Sequence, residues 1–284
     1  MSTANVNNLT QLDVALQERL EACRNIIRTL GRVCVAFSGG VDSSLLLALA
    51  AETLGHKNVL AAMAVGTIFP QWERQAGKKF AQHLGVELVE IETPQLTDPR
   101  FTANPTDRCY YCKTRILGRL KALAAERNIA AVATGSNASD TSDFRPGLRA
   151  EEQMGVRRPL LEAGLTKDNI REISRAMNLE GWNRASSACL ASRIPYGQPI
   201  TEQKLRRVEQ AELFLRGLGF EHCRVRDHTP IARIEVPAEA IARAIELRGE
   251  IVKALNRLGY TYIALDLEGF RSGSMNETLP PSAD

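Results

Sequence analysis

The run Ser38-Gly39-Gly40-Val41-Asp42-Ser43-Ser44 stands directly after the apolar residues 33–37 and directly before a second apolar stretch. A strand that turns through glycine into a helix aims successive backbone N–H groups at one point. The positive end of the helix dipole points there too, so the point is an anion site. Gly39 and Gly40 let the backbone approach an oxygen-rich ligand, and the hydroxyls of Ser38, Ser43 and Ser44 add donors. No Gly-Lys-Ser/Thr ending follows, so no lysine is placed for γ-phosphoryl transfer. Asp42 can hold a divalent cation such as Mg²⁺ on bound phosphates. A phosphate-bearing ligand with Mg²⁺ is therefore expected.

Residues 133–140, which include Gly135, Asn137 and Asp140, follow another short apolar run. Ligands collect at the carboxyl ends of parallel strands, so this second loop should face the same crevice. Asp143, Arg145, Pro146, Gly147 and Arg149 come next, an Asp- and Arg-rich loop suited to gripping phosphate and metal.

Cys109 and Cys112 form a C-x-x-C just before a helix expected over residues 115–127. In an intracellular chain that spacing favours a metal, a cluster or a redox pair. Cys189 lies far downstream in a polar, Ser-rich loop with Arg193 close by. Two readings stay open. One is a [4Fe-4S] cluster held by three thiolates, with one iron left to carry sulfide. The other is a zinc site completed by His83, His222 or His228. Cys23, Cys34 and Cys223 sit at helix-face or strand positions and read as core residues.

The elements that must position these groups alternate. Helices are expected over residues 10–30, 43–54, 71–84 and 115–127, and strands over 33–37, 59–65, 86–91 and 130–134. That alternation predicts an α/β fold, a parallel sheet with helices on both faces. After residue 165 the pattern changes to helices over 166–177 and 201–218, a loop over 181–200, and two antiparallel strands at 223–227 and 232–236. Helical stretches at 237–247 and 250–258 and a last strand at 260–267 complete a smaller α+β module. The division is placed at 1–175 and 176–284.

Composition removes several function classes. The 36 basic and 33 acidic residues leave a net charge of +3, too balanced for a dedicated nucleic-acid binder. The first residues lack a charged segment followed by an apolar one, and no apolar run reaches membrane-spanning length. A cytoplasmic location is expected, where the six cysteines are not disulfides.

Residues 38–44 resemble the PP-loop of the ATP pyrophosphatase superfamily, which cuts ATP between its α- and β-phosphates. Together with residues 133–140, 143–150 (DFRPGLRA), 155–160 (GVRRPL), 187–197 (SACLASRIPYG) and 269–277 (GFRSGSMNE), the chain resembles the LarE family along nearly its whole length. The resemblance implies an adenine nucleotide alpha hydrolase-like ATP domain and an ATP-dependent sulfurtransferase. Its substrate would be pyridinium-3,5-biscarboxylic acid mononucleotide, in nickel-pincer nucleotide biosynthesis for lactate racemase. Cys189 matches the family's sulfur-bearing cysteine. With Cys109 and Cys112 also present, the chain looks like the subtype with a three-cysteine [4Fe-4S] cluster. Arg145, Arg193, Arg224, Arg226 and Arg271 are the implied substrate-binding cations, and Glu212 and Glu235 match acidic positions that bind metal in the family. A homo-oligomer is implied; the sulfide donor is not.

Three rival readings remain. A tRNA thiolation enzyme shares the PP-loop but would want a stronger basic surface. An amidating PP-loop ligase would leave Cys109, Cys112 and Cys189 without a role. A non-catalytic ATP-binding module would bind ATP without releasing pyrophosphate.

Overall fold

The strands β1 (Val33–Ala36), β2 (Val59–Val65), β3 (Glu87–Glu92) and β4 (Ala131–Ala133) form from three apolar runs and, at β3, the mixed segment ELVEIE. They lie in the order β3-β2-β1-β4, and every pair is parallel. Around them run α1 (Val14–Arg28), α2 (Val41–Leu54), α3 (Gln71–His83), α4 (Arg108–Glu126), α5 (Pro146–Gln153) and α6 (Lys167–Ala176). The computed structural model describes residues 9–142, 146–184 and 188–271, with Ser274 and Glu277.

Alternate strand residues face opposite sides of the sheet, and both sides are covered at β1 and β2, which is why those strands read as unbroken apolar runs, while the edge strand β3 alternates with glutamate. Val33, Val35, Val59, Ala61 and Met63 share one core with α1, α2, α3 and α6. Cys34, Leu60, Ala62 and Val132 share another with Leu117, Leu120, Leu123 and Ala124 of α4. Helix α2 is buried on nearly all sides, from Val41 to Ala51, so its N-terminus is fixed by packing. Helix α6 begins on a capping box in which the Thr166 hydroxyl and the Asn169 side chain satisfy each other's backbone amides.

Two elements differ from expectation. Helix α4 starts at Arg108, ahead of the expected residue 115, so Cys109 and Cys112 lie in its first two turns. The segment expected as an Asp- and Arg-rich loop is helical from Pro146 onward, with proline at the position where its missing N–H costs nothing. The two helices explain each other: Tyr110 Oη donates to Gln153 Oε1 at 2.7 Å, and Arg149 lies 4.3 Å over the Tyr110 ring.

By contact the chain divides into Met1–Thr93 with Asp107–Ser187, and Pro94–Thr106 with Ala188–Asp284. The second unit holds α7 (Glu202–Gly217), β5 (Arg224–His228), β6 (Ile231–Glu235), α8 (Ile241–Glu246), α9 (Arg248–Arg257) and β7 (Tyr262–Leu265). β5 and β6 pair antiparallel, as expected; β7 adds parallel to β6, a crossover made through α8 and α9. Leu215, Phe220, Val225, Ile234, Ile251 and Leu255 form its core. Among the described residues no helix is long and apolar enough to cross a membrane.

Asn104 ties Pro94–Thr106 into this unit. It is fully buried, at a φ of 57°, and its side-chain amide donates to the carbonyls of Ile194 (3.3 Å), Pro195 (2.7 Å) and Gln198 (3.0 Å). Asn104→Ala removes the shared donor and leaves a left-handed backbone that alanine disfavours. A loss of roughly 2–4 kcal/mol is expected in denaturant unfolding.

Candidate functional site

The strand order reverses at β1, with β2 and β3 on one side and β4 on the other. A parallel sheet opens a ligand crevice at such a point, beyond the carboxyl ends of its strands. The loops after β1 and β4 both arrive there. Gly39 has a φ of 78°, and a Cβ on it would stand 3.3 Å from the Glu73 carbonyl oxygen of α3. Gly40 occupies the N-cap of α2. The Ser38 and Ser43 hydroxyls lie 3.1 Å apart, Ser43 Oγ donates to the Gly40 carbonyl at 3.1 Å, and the Ser38 and Gly40 amides donate back to these hydroxyls. Both serines therefore hold the shape of the loop, while Ser44 is buried in the first turn of α2.

Gly135 brings the second loop against the first. A Cβ there would lie 2.8 Å from the Ser43 amide nitrogen and 3.0 Å from the Asp42 carbonyl carbon. Asn137 and Asp140 shape this loop: Asp140 Oδ2 accepts from the Asn137 amide, and Asn137 Oδ1 from the Ser139 amide, each at 3.0 Å. The loop then seats α6, because Ser139 Oγ accepts from the Lys167 amide at 3.0 Å.

Lys167 Nζ meets both carboxylate oxygens of Asp42, at 2.7 and 2.6 Å. Sequence reasoning passed over this lysine. Its signal was a cation in the first turn of a helix, where the dipole disfavours positive charge, so the placement calls for an anionic partner.

Cys109 is exposed, and Cys112 and Cys189 are half-buried. Cys23, Cys34 and Cys223 are buried, and burial pushes each thiol up to about 12, as suits core residues. Cys109 and Cys112 stand one helical turn apart and share a face of α4. Among the described residues no three His, Cys, Asp or Glu side chains converge as a metal site. His83 ends α3, His222 is exposed, and His228 is half-buried on β5, its charged form disfavoured by burial and by Arg233.

In the second unit Cys189 caps a short turn, Leu190–Arg193. Arg193 is buried beneath that turn. Its guanidinium donates to the Cys189 carbonyl at 3.1 Å, to the Ala188 carbonyl and to Ser192 Oγ, and it forks onto Glu212 at 2.8 and 2.9 Å. Arg226 forks onto Glu235 at 2.9 and 2.7 Å and donates to the Ser192 carbonyl at 3.0 Å. Ser274 Oγ bridges Arg226 and Glu235. Arg224 stands beside this pair of forks, 4.9 Å over the Phe270 ring, and burial with Arg193 and Arg226 nearby lowers its guanidinium to about 10. Glu212 and Glu235 are fully buried, Glu212 between the Arg193 fork and the Val225 amide, Glu235 between Arg226, Arg233 and the Ser274 hydroxyl. Arg271 pairs with Asp266, Glu268 and Glu277, and Asp266 in turn meets Arg233, which reaches Glu235 at 3.2 Å. Arg145, with Asp143, lies outside the described residues.

Three buried guanidinium groups against two buried carboxylates leave positive charge under the Cys189 turn and along one face of β5 and β6. Such a surface attracts anions, and guanidinium matches carboxylate and phosphate in bidentate fashion.

Known proteins are similar to this chain in sequence. Residues 15–104 match the family described as Asparagine synthase. A protein of Lactiplantibacillus plantarum, pyridinium-3,5-bisthiocarboxylic acid mononucleotide synthase, is 39% identical over 89% of this chain and 92% of its own. The chain belongs to the LarE family. An uncharacterised Synechocystis protein is 38% identical over 93% of the chain and 99% of its own length. A glutamine-hydrolysing GMP synthase of Campylobacter hominis is 26% identical over 68% of this chain and 42% of its own. The blocks that carried the LarE resemblance include both crevice loops and the Cys189–Arg193 turn of this protein.

Two outcomes are expected. Gly135→Ala places a methyl group in the α2 backbone, so ATP affinity measured by calorimetry should fall at least tenfold, with a loss of about 1–3 kcal/mol in stability. Arg193→Met leaves Glu212 charged and buried without its fork, and the melting curve should report a loss of about 3–5 kcal/mol.

Proposed function

We propose that this LarE-family enzyme uses ATP to adenylylate a carboxylate of pyridinium-3,5-biscarboxylic acid mononucleotide and converts it to a thiocarboxylate, for the nickel-pincer nucleotide of lactate racemase. AMP and pyrophosphate are the co-products. The observation that carries the reading is the backbone contact of the two loops at the strand reversal, in a chain 39% identical to the synthase named above.

The α2 N-terminus and the amides of residues 39 and 41–43 hold the β- and γ-phosphates, and Lys167 adds a positive charge beside them. Asp42 is an oxygen donor in a partly open position, already satisfied by one cation; this fits Mg²⁺ carried in on the phosphates. A substrate carboxylate oxygen bonds to the α-phosphorus, and the bond to the β-phosphate breaks. Pyrophosphate departs into a loop built for it. A sulfur nucleophile then adds to the acyl carbon, and the carbon–oxygen bond to AMP breaks. Arg224, Arg226 and Arg193 balance the substrate's carboxylate and phosphate charge, and Arg193 fixes the backbone at Cys189.

Cys109 and Cys112 have the donor chemistry and helical spacing for two of the three thiolate ligands of a [4Fe-4S] cluster, and Cys189 is the third thiol. Such a cluster keeps one iron available to bring sulfide. The reading includes a cytoplasmic homo-oligomer acting on a small nucleotide, with sulfide supplied by another protein or by solution.

Anaerobic iron and acid-labile sulfide analysis tests the cluster on wild type and on Cys109→Ala. About four of each per chain, lost in the variant, is the expected result. A reconstituted protein without iron contradicts it; bound zinc then favours a structural site, and no metal favours sacrifice of the Cys189 sulfur.

A further inference from the structure

We infer that Glu151 is a positioning residue that clamps the cysteine-bearing turn of α4 to the loop of residues 135–140, so that nucleotide at that loop steadies the turn. The Glu151 side chain is 1% exposed, and its two oxygens serve two different elements. Oε2 accepts from Ser136 Oγ at 2.7 Å, in the loop that Gly135 presses against α2. Oε1 meets Lys113 Nζ at 2.7 Å, and Lys113 is the residue after Cys112.

Lys113 also lies one turn beyond Cys109, on the helical face that both cysteines share. A buried carboxylate cannot give up either partner cheaply, because it would keep its charge without compensation. Displacement of the Ser136 loop is therefore passed to Lys113 rather than absorbed by solvent. Further along the same two helices, Tyr110 Oη donates to Gln153, and Arg149 covers the Tyr110 ring, so α5 grips the first turn of α4 at more than one point. Neither Glu151 nor Lys113 has a part in the chemistry derived above. Their arrangement joins the ATP loop to the cysteine pair, and the inference rests on the reading of that loop as an ATP site.

Hydrogen–deuterium exchange on the full chain with Mg²⁺ and α,β-methylene ATP, which cannot be cleaved at the α–β bond, reads this directly. In wild type the analogue should slow exchange over residues 109–113 by about tenfold or more, the size of one charge-assisted hydrogen bond. In Glu151→Gln and in Lys113→Met that slowing should vanish, while affinity for the analogue stays within about threefold. If Glu151→Gln does not fold, Ser136→Ala removes the same link from the loop side and should also abolish the slowing. A merely structural role for Glu151 would raise exchange with and without nucleotide but leave the ratio unchanged. An unchanged ratio in the variants overturns the inference, since the nucleotide would then act on the turn directly. Slowing absent from wild type that has bound the analogue overturns it as well, leaving the ATP reading intact. Wild type that binds no analogue overturns both.

Discussion

At Gly135 the loop after β4 passes so close to the first turn of α2 that a Cβ would stand 2.8 Å from the Ser43 amide nitrogen. The N-terminus of α2 cannot retreat, because the helix is buried on nearly all sides between the sheet and its neighbours. The contact holds two loops from opposite sides of the strand reversal in one place. Ser139 in the second loop receives the Lys167 amide, and Lys167 reaches back to Asp42 in the first. The crevice is thus closed on itself by one missing side chain, one capped helix and one ion pair.

Charge is handled differently in the two units. In the first, the crevice is lined by backbone amides and a helix end, and its Asp42–Lys167 ion pair is partly open to solvent. In the proposed function, Mg²⁺-bearing phosphates would exchange one cation–anion pairing there for another. In the second, Arg193, Arg224 and Arg226 are buried with Glu212 and Glu235, and the forks fix the guanidinium planes. Preorganised cations of this kind cost no reorientation when an anionic substrate arrives. The same Arg193 that forks onto Glu212 also holds the Cys189 backbone, so charge balance and placement of the thiol share one residue.

The parallel sheet was legible because its central strands β1 and β2 are buried on both faces and so read as apolar runs between helical periods. The phosphate loop was legible because strand, glycines and helix follow one another locally. Helix α4 was placed seven residues late, since its first turn is polar and owes its order to α5, a tertiary contact that periodicity does not carry. Lys167 and Glu151 were missed for the same reason: their partners, Asp42, Lys113 and Ser136, are distant in sequence, and only the fold brings them together. The segment Pro94–Thr106 carries no compositional mark; it joins the second unit through the buried Asn104 amide. For Glu212 and Glu235 the sequence offered acidic residues near cysteine and arginine, without revealing that each is met by a guanidinium fork.

The central claim is that this chain joins a carboxylate to AMP before sulfur arrives, and the fate of the carboxylate oxygen tests it most directly. Pyridinium-3,5-biscarboxylic acid mononucleotide carrying heavy oxygen in its carboxyl groups would be turned over with ATP, Mg²⁺ and sulfide, and the nucleotide product analysed by mass spectrometry. The account predicts one labelled oxygen in AMP for each thiocarboxylate formed, with unlabelled pyrophosphate. Label retained wholly in the substrate, or ADP and phosphate in place of AMP and pyrophosphate, would contradict it.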